Sequence, residues 1–104
     1  MESVIGNDDQ TIILRLGDPS FVREKRMVVG RVNTADIVVA DPLLSRSHFE
    51  LFAVGDEWLL RDLGSKNGTS LNGTDVATDT KVVSNDRIRA GSTQFNLVID
   101  RRIE

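Results

Sequence analysis

The apolar residues of this chain occur in short runs, and glycine, asparagine, aspartate or proline interrupts these runs at close intervals. The runs are rich in β-branched side chains, and none continues with helical spacing over the length of a long helix. Short strands joined by tight turns have this pattern, so the sequence predicts an all-β fold. The predicted strands lie near Thr11–Leu16, Arg26–Gly30, Ile37–Val39, His48–Val54, Glu57–Asp62, Lys81–Val83, Arg87–Ala90 and Thr93–Ile99, with smaller pieces around Thr69–Leu71 and Thr74–Val76.

Two pairs of these strands are expected to form hairpins, because only a two-residue turn separates the strands of each pair. Gly55-Asp56 joins the runs 49–54 and 57–62, and Gly91-Ser92 joins the last two runs. Glycine adopts the positive φ that such tight turns need. Many short strands with frequent turns favour an antiparallel β-sandwich of two sheets over a barrel or an α/β fold. The segment 21–27 is expected to form either one helical turn or a long loop.

The length of 104 residues allows one domain, and the charges are unevenly placed along it. The first ten residues contain Glu2, Asp8 and Asp9 and no basic residue, which leaves 13 acidic residues to balance the 13 basic ones. We therefore predict an acidic, flexible lead-in over 1–10, the sandwich over 11–100 and a tail over 101–104. A neutral domain gives little support to nucleic-acid binding, which favours a strongly basic face.

The chain has no cysteine and a single histidine, His48. The lack of cysteine removes disulfides and thiolate chemistry and suits a reducing compartment, and one histidine makes a metal site improbable. No apolar run approaches the roughly 20 residues of a membrane span, and the N-terminus lacks the basic-then-apolar order of a signal peptide. We expect a cytoplasmic protein with no metal, no membrane partner and no nucleic-acid partner.

Four polar clusters lie in predicted turns or at strand ends. They supply guanidinium, ammonium, hydroxyl and amide groups, together with the backbone N–H groups of glycine-containing loops. Arginine binds phosphate oxygens through a planar fork, hydroxyls donate to them, and successive loop N–H groups form anion-binding concavities. The loops at one end of a sandwich meet in space, so the clusters predict one local anion site. The clusters are Gly30-Arg31, Ser45–His48, Gly64–Thr69 and Asn72–Thr74.

Enzymatic chemistry has weaker support in the sequence. General acid–base catalysis needs a residue that titrates near the working pH together with a partner, and only His48 qualifies. The run Gly64–Thr69 is not a nucleotide-binding P-loop, because the Gly-Lys-Ser/Thr ending is missing and no long helix follows. The sequence therefore predicts a binding protein, with a small β-rich enzyme as an alternative.

The order and spacing of the clusters resemble the forkhead-associated (FHA) domain across roughly residues 11–99. The resemblance rests on Gly30-Arg31, then Ser45-Arg46-Ser47-His48, then Asp62 followed by Ser65–Thr69 and Asn72-Gly73. It implies a sandwich of eleven strands whose loops at one end bind phosphothreonine-containing peptides. It implies no catalysis and no cofactor. The expected function is phosphothreonine-dependent recognition of peptides or proteins in Ser/Thr kinase signalling.

The resemblance also implies roles for single residues. Arg31 would be the principal cation for the phosphate, Ser45 would contact a phosphate oxygen through its hydroxyl, and Asn67 would hold the peptide backbone. Supporting phosphate contacts fall to Arg46 and Lys66, at positions where family members differ. Partner preference would come from the loops 41–44 and 66–72. The residues expected to support the site structurally are Gly30, His48, which would pack behind the binding loop, and Gly68.

Simpler interpretations remain for the same residues. Arg31 could be a solvated arginine that pairs with Asp36, a contact worth only about 0–1 kcal/mol. Ser45 could be a turn residue that bonds its own backbone after Asp41-Pro42. An FHA-like scaffold that binds an unphosphorylated partner through a different face is the remaining alternative at the level of the whole chain.

Overall fold

The computed structural model describes residues 10–102 and confirms the all-β prediction, with no helix in that range. The strand count implied by the family resemblance was wrong by one, because the described chain forms ten strands and not eleven. Nearly all of the predicted acidic lead-in lies outside the described residues, as does the end of the predicted tail. The strands are β1 Gln10–Leu16, β2 Arg26–Gly30, β3 Ile37–Val38, β4 Phe49–Val54, β5 Glu57–Asp62, β6 Thr69–Leu71, β7 Thr74–Asp75, β8 Thr80–Val82, β9 Arg87–Ala90 and β10 Thr93–Ile99.

The strands form two five-stranded sheets with the orders β1-β10-β9-β6-β7 and β3-β2-β4-β5-β8. Neither sheet is purely antiparallel, which corrects the predicted pairing. β1 runs parallel to β10, and β2 runs parallel to β3. A tight turn forces the two strands it joins to be antiparallel, but no such turn joins β1 to β10. Their relative direction therefore depends on the tertiary fold.

The core lies between the two sheets and follows from the alternation of side chains along each strand. In β10 every second residue is buried, from Thr93 to Ile99, and in β9 the buried residues are Ile88 and Ala90. Phe49 and Phe95 meet edge to face across the core, with ring centroids 5.2 Å apart. Such a pair is worth about 0.5–1.5 kcal/mol beyond its buried area.

The predicted tight turns are present. Gly55 connects β4 to β5 and Gly91 connects β9 to β10, each with a φ of 60°. A further two-residue turn, Asn72-Gly73, connects β6 to β7 with φ values of 51° and 88°. At Asn72-Gly73, positive φ at both central positions gives the strands the twist that a two-residue hairpin needs. Of the segment 21–27, residues 21–25 form a loop without a helical turn, and Arg26 and Met27 are the first residues of β2. The loop follows a turn in which the N–H groups of Phe21 and Val22 both donate to Asp18 O. Within residues 10–102, no helix has the length and apolarity needed to cross a membrane.

One end of the sandwich gathers four segments that are distant in sequence. The end of β2 contacts the segment after β3, since Arg31 N–H donates to Ser45 O. That segment contacts the turn between β9 and β10 through Ser92 N–H and Asp41. It also contacts the segment after β5, since Lys66 N–H donates to Ser45 Oγ. Three of the four predicted polar clusters have residues at this end. The fourth, Asn72–Thr74, does not.

Candidate functional site

The end of β2 and the 41–48 loop approach each other at Gly30. A Cβ atom on this residue would lie 1.9 Å from the carbonyl oxygen of Arg46, which is backbone and has no room to move away. Only glycine fits there. The close approach lets Arg31 N–H donate to the carbonyl oxygens of both Ser45 and Arg46, each at 3.1 Å. The strand end therefore fixes the course of the loop that carries the candidate contacts.

His48 is fully buried and connects two loops. Its Nδ1 accepts the N–H of Ser45 at 3.0 Å, and its Nε2 is 2.8 Å from the carbonyl oxygen of Gly68. Because Nδ1 accepts, the proton belongs on Nε2, which donates to Gly68. Both ring nitrogens are thus used within the protein. This arrangement supports the architectural role assigned to His48 over a role as a catalytic base.

Asp62, at the end of β5, organises the 63–68 loop. Its carboxylate accepts Ser65 N–H at 3.0 Å, Ser65 Oγ at 2.6 Å and Thr69 Oγ1 at 2.6 Å. Ser65 Oγ in turn accepts Gly68 N–H at 3.0 Å. Burial acts to raise the pKa of Asp62, but the hydrogen bonds from Ser65 and Thr69 outweigh it and lower the pKa below its ordinary value. The charged carboxylate therefore holds both ends of the loop.

Asp41 performs the same task in the 41–48 loop, a role that the sequence interpretation missed. This aspartate is 2% exposed. Its Oδ1 accepts Leu43 N–H at 2.9 Å, while its Oδ2 accepts Ser92 N–H, Ser92 Oγ and Thr93 Oγ1 at 2.7–3.0 Å. Burial acts to raise the pKa of Asp41, but these bonds, led by that from Thr93, lower it below its ordinary value. The Asp41-Pro42 pair predicts a turn at this point of the chain. It does not predict that Asp41 accepts hydrogen bonds from Ser92 and Thr93.

The two loops enclose a depression of about 410 Å³, here called the loop depression. No carboxylate lines it, although the chain as a whole has a net charge of −3. Three of its lining residues are cations, so an anion placed there meets an excess of positive charge at short range. Its lining residues are Arg31, Pro42, Leu43, Leu44, Ser45, Arg46, Lys66 and Asn67, which include all five predicted contact residues.

Arg31 is held in position by its own inner nitrogen. Arg31 Nε donates to the carbonyl oxygen of Leu44 at 2.9 Å, and the side chain lies at the surface. Arg31 lines the loop depression, and the two outer nitrogens, which this bond does not use, can bind an anion as a fork. Arg31 forms no ion pair with Asp36, whose carboxylate accepts Val28 N–H at 2.8 Å.

Ser45 and Asn67 join the walls of the loop depression. Ser45 Oγ accepts the backbone N–H of Lys66 at 3.0 Å, so its hydroxyl proton remains available for an outside acceptor. The simpler interpretation proposed that Ser45 bonds its own backbone. The structure shows instead that its hydroxyl oxygen bonds the other loop. Asn67 Nδ2 donates to the carbonyl oxygen of Leu43 at 2.8 Å, and the amide lies at the surface beside the cations.

The side chains of Arg46 and Lys66 are both exposed at the rim of the loop depression. Their positions suit supporting contacts that depend on charge more than on exact geometry. Gly68 has a φ of 82°, which favours glycine, and its carbonyl oxygen accepts the His48 bond. The structure thus brings the five predicted contact residues to one depression. Gly30 and His48 are buried, whereas Gly68 is exposed and is connected to the site through its bond with His48.

Comparison with known proteins identifies the family. The family model of the FHA domain matches residues 27–91, an interval that contains the whole loop depression and both supporting carboxylates. The chain belongs to the FHA family. FhaB, an FHA domain-containing protein of Mycobacterium tuberculosis, is 35% identical over 74 residues, which make up 71% of this chain and 48% of FhaB. The chain therefore spans about half the length of that relative.

Solved FHA domains have the same architecture. The FHA domain of M. tuberculosis FhaA, complexed with the intracellular domain of another protein, aligns with a TM-score of 0.65 and 34% identity over 71% of this chain and 80% of that chain. The N-terminal FHA domain of a Saccharomyces cerevisiae protein, in complex with a phosphothreonine peptide, aligns with a TM-score of 0.58 and 32% identity. That alignment covers 64% of this chain and 56% of the yeast chain.

Proposed function

We propose that this FHA domain recognises phosphothreonine-containing segments of partner proteins and that the loop depression binds the phosphate. The observation that carries the proposal is the convergence of Arg31, Ser45, Arg46, Lys66 and Asn67 on one depression that no carboxylate lines. The yeast FHA domain, similar in fold and sequence, was solved with a phosphothreonine peptide, which supports the same ligand class here.

The proposed mechanism makes binding conditional on phosphorylation. A phosphate adds a charge of about −1.5 to −2 and three acceptor oxygens to a threonine. The fork of Arg31 faces those oxygens, with the Ser45 hydroxyl as a second donor and the charges of Arg46 and Lys66 at the rim. An unmodified threonine hydroxyl has no charge to offer these groups. The donors are already in position, so little side-chain ordering is required on binding.

Asn67 is proposed to hold the peptide backbone beside the phosphate. Its bond to Leu43 uses one of the two amide protons, which leaves the other proton and the carbonyl oxygen for a peptide N–H or C=O. Leu43 is 51% exposed and, with Pro42, gives the loop depression an apolar wall. This wall is suited to the methyl group that distinguishes threonine from serine.

The proposal places the domain in Ser/Thr kinase signalling, as a non-catalytic reader in the cytoplasm. A kinase writes the mark, and the domain binds the product without changing it. The structure supports a non-catalytic role because His48 is buried and both of its ring nitrogens are bonded within the protein. The lack of cysteine suits a reducing compartment.

A matched peptide set tests the proposal. One peptide sequence is prepared with phosphothreonine, phosphoserine, phosphotyrosine or threonine at a single position and is titrated by calorimetry at fixed ionic strength. We expect phosphothreonine to bind best and phosphoserine several-fold more weakly, since one buried methyl contributes about 0.8 kcal/mol. Phosphotyrosine should fail, because its phosphate lies a ring farther from the backbone that Asn67 holds. Equal affinity for phosphothreonine and threonine would contradict the proposed function.

A further inference from the structure

β1 is a long strand at the edge of its sheet. Within the described chain, β10 lies on one side of β1 and no strand lies on the other. The remaining edge strands, β3, β7 and β8, have two or three residues each, whereas β1 has seven. The register of β1 with β10 continues from Gln10 to Leu16 without a bulge, and the strand contains no proline. β1 therefore lacks the short length, the bulge and the proline that commonly keep an edge strand from pairing with another chain.

The hydrogen bonds with β10 identify the backbone groups on the free side of β1, here called the open edge. Gln10 N–H donates to Ser92 O, and Asp100 N–H donates to Leu16 O. The bonds of a parallel ladder are evenly spaced, so the even-numbered residues of β1 bond to β10. The odd-numbered residues direct their N–H and C=O groups to the open edge, where the structure gives them no hydrogen-bond partner within residues 10–102. These residues are Thr11, Ile13 and Arg15.

Ile13 lies in the middle of the open edge. Its side chain is exposed on the outer face of the sheet, as are those of Thr11 and Arg15, whereas Leu14 and Leu16 are buried. Ile13 is 63% exposed, the largest value among the exposed large hydrophobic residues of the described chain. A strand added alongside β1 would cover this side chain and satisfy the open backbone groups at the same time.

We propose that a second copy of this chain occupies the open edge and that the two β1 strands pair antiparallel about a two-fold axis at Ile13. This register places Ile13 opposite Ile13 of the second copy and Thr11 opposite its Arg15, so all seven residues of each strand are paired. The three outward residues then exchange both of their backbone bonds with the residues opposite. The contact uses the same surface of both copies, so the assembly ends at a dimer.

The sequence of β1 favours a second copy over an unrelated extended segment. A two-fold pairing requires a strand whose two halves accept each other. In β1 the one charged side chain, Arg15, meets a threonine and not a like charge, and the two exposed isoleucines meet at the axis. A contact made by one pair of strands buries little area, so the dimer is weak and depends on concentration.

The dimer places its two loop depressions at opposite ends. β1 begins at the binding end of the sandwich, because Gln10 N–H bonds Ser92 and Ser92 in turn bonds Asp41. Antiparallel strands therefore direct the two binding ends away from each other. With the ligand proposed above, the dimer holds two phosphothreonine segments that belong to different partner molecules. The pairing of the strands does not depend on that function.

Sedimentation equilibrium of the full chain from about 10 µM to about 1 mM tests the dimer. We expect the wild type to dimerise with a Kd of roughly 50–500 µM, as a small interface implies. Ile13→Lys replaces an exposed side chain, so it should keep the melting temperature of the dilute wild type, but it should stay monomeric because two like charges meet at the axis. Val54→Lys is the matched control, since Val54 is 55% exposed at the end of β4 in the other sheet. A wild type that is monomeric at about 1 mM, or an Ile13→Lys variant that dimerises like Val54→Lys, would overturn the inference.

Substitutions at Thr11 test the register. Thr11→Glu places a carboxylate opposite Arg15 of the second copy, twice in each dimer. It should tighten the dimer about threefold to tenfold at low salt, although it adds negative charge to both copies, and the gain should shrink at high salt. Thr11→Lys should weaken the dimer by a similar factor. Equal dissociation constants for the two variants would contradict the pairing of Thr11 with Arg15 and overturn the proposed contact.

Amide hydrogen exchange tests whether the dimer uses this strand. In dilute protein, the N–H groups of Ile12 and Leu14 should exchange slowly because they bond to β10, whereas those of Thr11, Ile13 and Arg15 should exchange quickly. At about 1 mM the three fast amides of the wild type should slow several-fold, and those of Ile13→Lys should not. A dimer in which these three amides exchange at the dilute rate would use another surface, and the inference would be wrong.

Discussion

Arg31 and His48 contribute to the binding end in different ways, because one side chain is exposed and the other is buried. Arg31 donates from Nε to the carbonyl oxygen of Leu44, lines the loop depression and keeps its two outer nitrogens for a ligand. His48 has no solvent-exposed surface and is hydrogen-bonded to the backbones of Ser45 and Gly68. Substitutions at the two positions should therefore separate binding from stability.

Arg31→Ala should lose most phosphopeptide affinity and keep its thermal stability. Removing one partner of a hydrogen-bonded charge pair that is buried in the complex typically costs about 2–5 kcal/mol, or at least about 30-fold in affinity. Arg31→Lys should fall between alanine and the wild type, because an ammonium keeps the charge but not the planar fork. Titration calorimetry of these two variants beside Arg23→Ala is the measurement. Binding of Arg31→Ala within a few-fold of the wild type would remove this residue from the site.

His48→Ala should lower both stability and binding. The substitution leaves Ser45 N–H and Gly68 C=O without their buried partner, and each unsatisfied group typically costs about 1–3 kcal/mol. Chemical denaturation and peptide titration measure the two effects. Arg46→Ala is the comparison, since this exposed side chain should weaken binding without a change in stability. If His48→Ala lost binding at full stability, the histidine would contact the ligand directly.

At the scale of elements, two aspartates fix the conformation of the loops through side-chain hydrogen bonds. Asp41 connects the 41–48 loop to the β9–β10 turn, and Asp62 closes the 63–68 loop onto the start of β6. Each accepts its bonds best as the carboxylate, which is why hydrogen bonding holds both pKa values below their ordinary value despite burial. The loop geometry that the site needs is thereby linked to the charge of two side chains.

This linkage predicts a pH dependence with a definite sign. A carboxylate whose pKa is lower in the folded state stabilises the fold above the pKa of the unfolded chain and loses that effect as the pH falls through the folded value. Stability should therefore decline below about pH 4, near the pKa of an unfolded aspartate. Asp41→Asn should be less stable than the wild type at neutral pH and should lose less stability on acidification.

Denaturation midpoints measured across pH 7 to 3 for the wild type and Asp41→Asn provide the test. Asp56→Asn, at the exposed turn between β4 and β5, controls for the loss of one negative charge. Parallel curves for the wild type and Asp41→Asn would show that Asp41 is not the linked group.

At the scale of the whole molecule, a chain with a net charge of −3 presents a local cluster of cations at one end. The sandwich can present these cations because buried side chains such as Asp41 and His48 hold its loops in place. The loops therefore do not need to form a hydrophobic core of their own. Phosphopeptide binding should then act on the folded state alone, since the unfolded chain does not bring Arg31, Ser45 and Lys66 together.

A phosphothreonine peptide should therefore raise the melting temperature. At a free peptide concentration 100-fold above Kd, the linkage stabilises the fold by about 2.7 kcal/mol, which corresponds to a rise of roughly 10–20 °C for a domain of this size. Differential scanning fluorimetry with the phosphorylated peptide and its unphosphorylated twin measures the shift. The shift should shrink at high salt, because the contact is screened. An equal shift with both peptides would mean that the phosphate is not what binds.

The sequence by itself determined the strands and their tight turns, because both depend on neighbouring residues. β2, β5, β6, β9 and β10 begin and end where the apolar runs predicted, and Gly55 and Asn72-Gly73 adopt the positive φ that their turns need. The family pattern also named the residues that the fold gathers around the loop depression, from Arg31 to Asn67. The strands and turns depend on neighbouring residues, and the site residues belong to short sequence motifs.

The tertiary structure decided what depends on contact between distant segments. The parallel pairing of β1 with β10 has no turn to specify it, and the bonds from Ser92 and Thr93 to Asp41 cross more than 50 residues of chain. The bond from Lys66 N–H to Ser45 Oγ likewise joins two loops that no local pattern connects. Hydrogen bonds of this kind form only where folding brings a buried carboxylate or hydroxyl within about 3 Å of its donor, and sequence periodicity does not encode that distance.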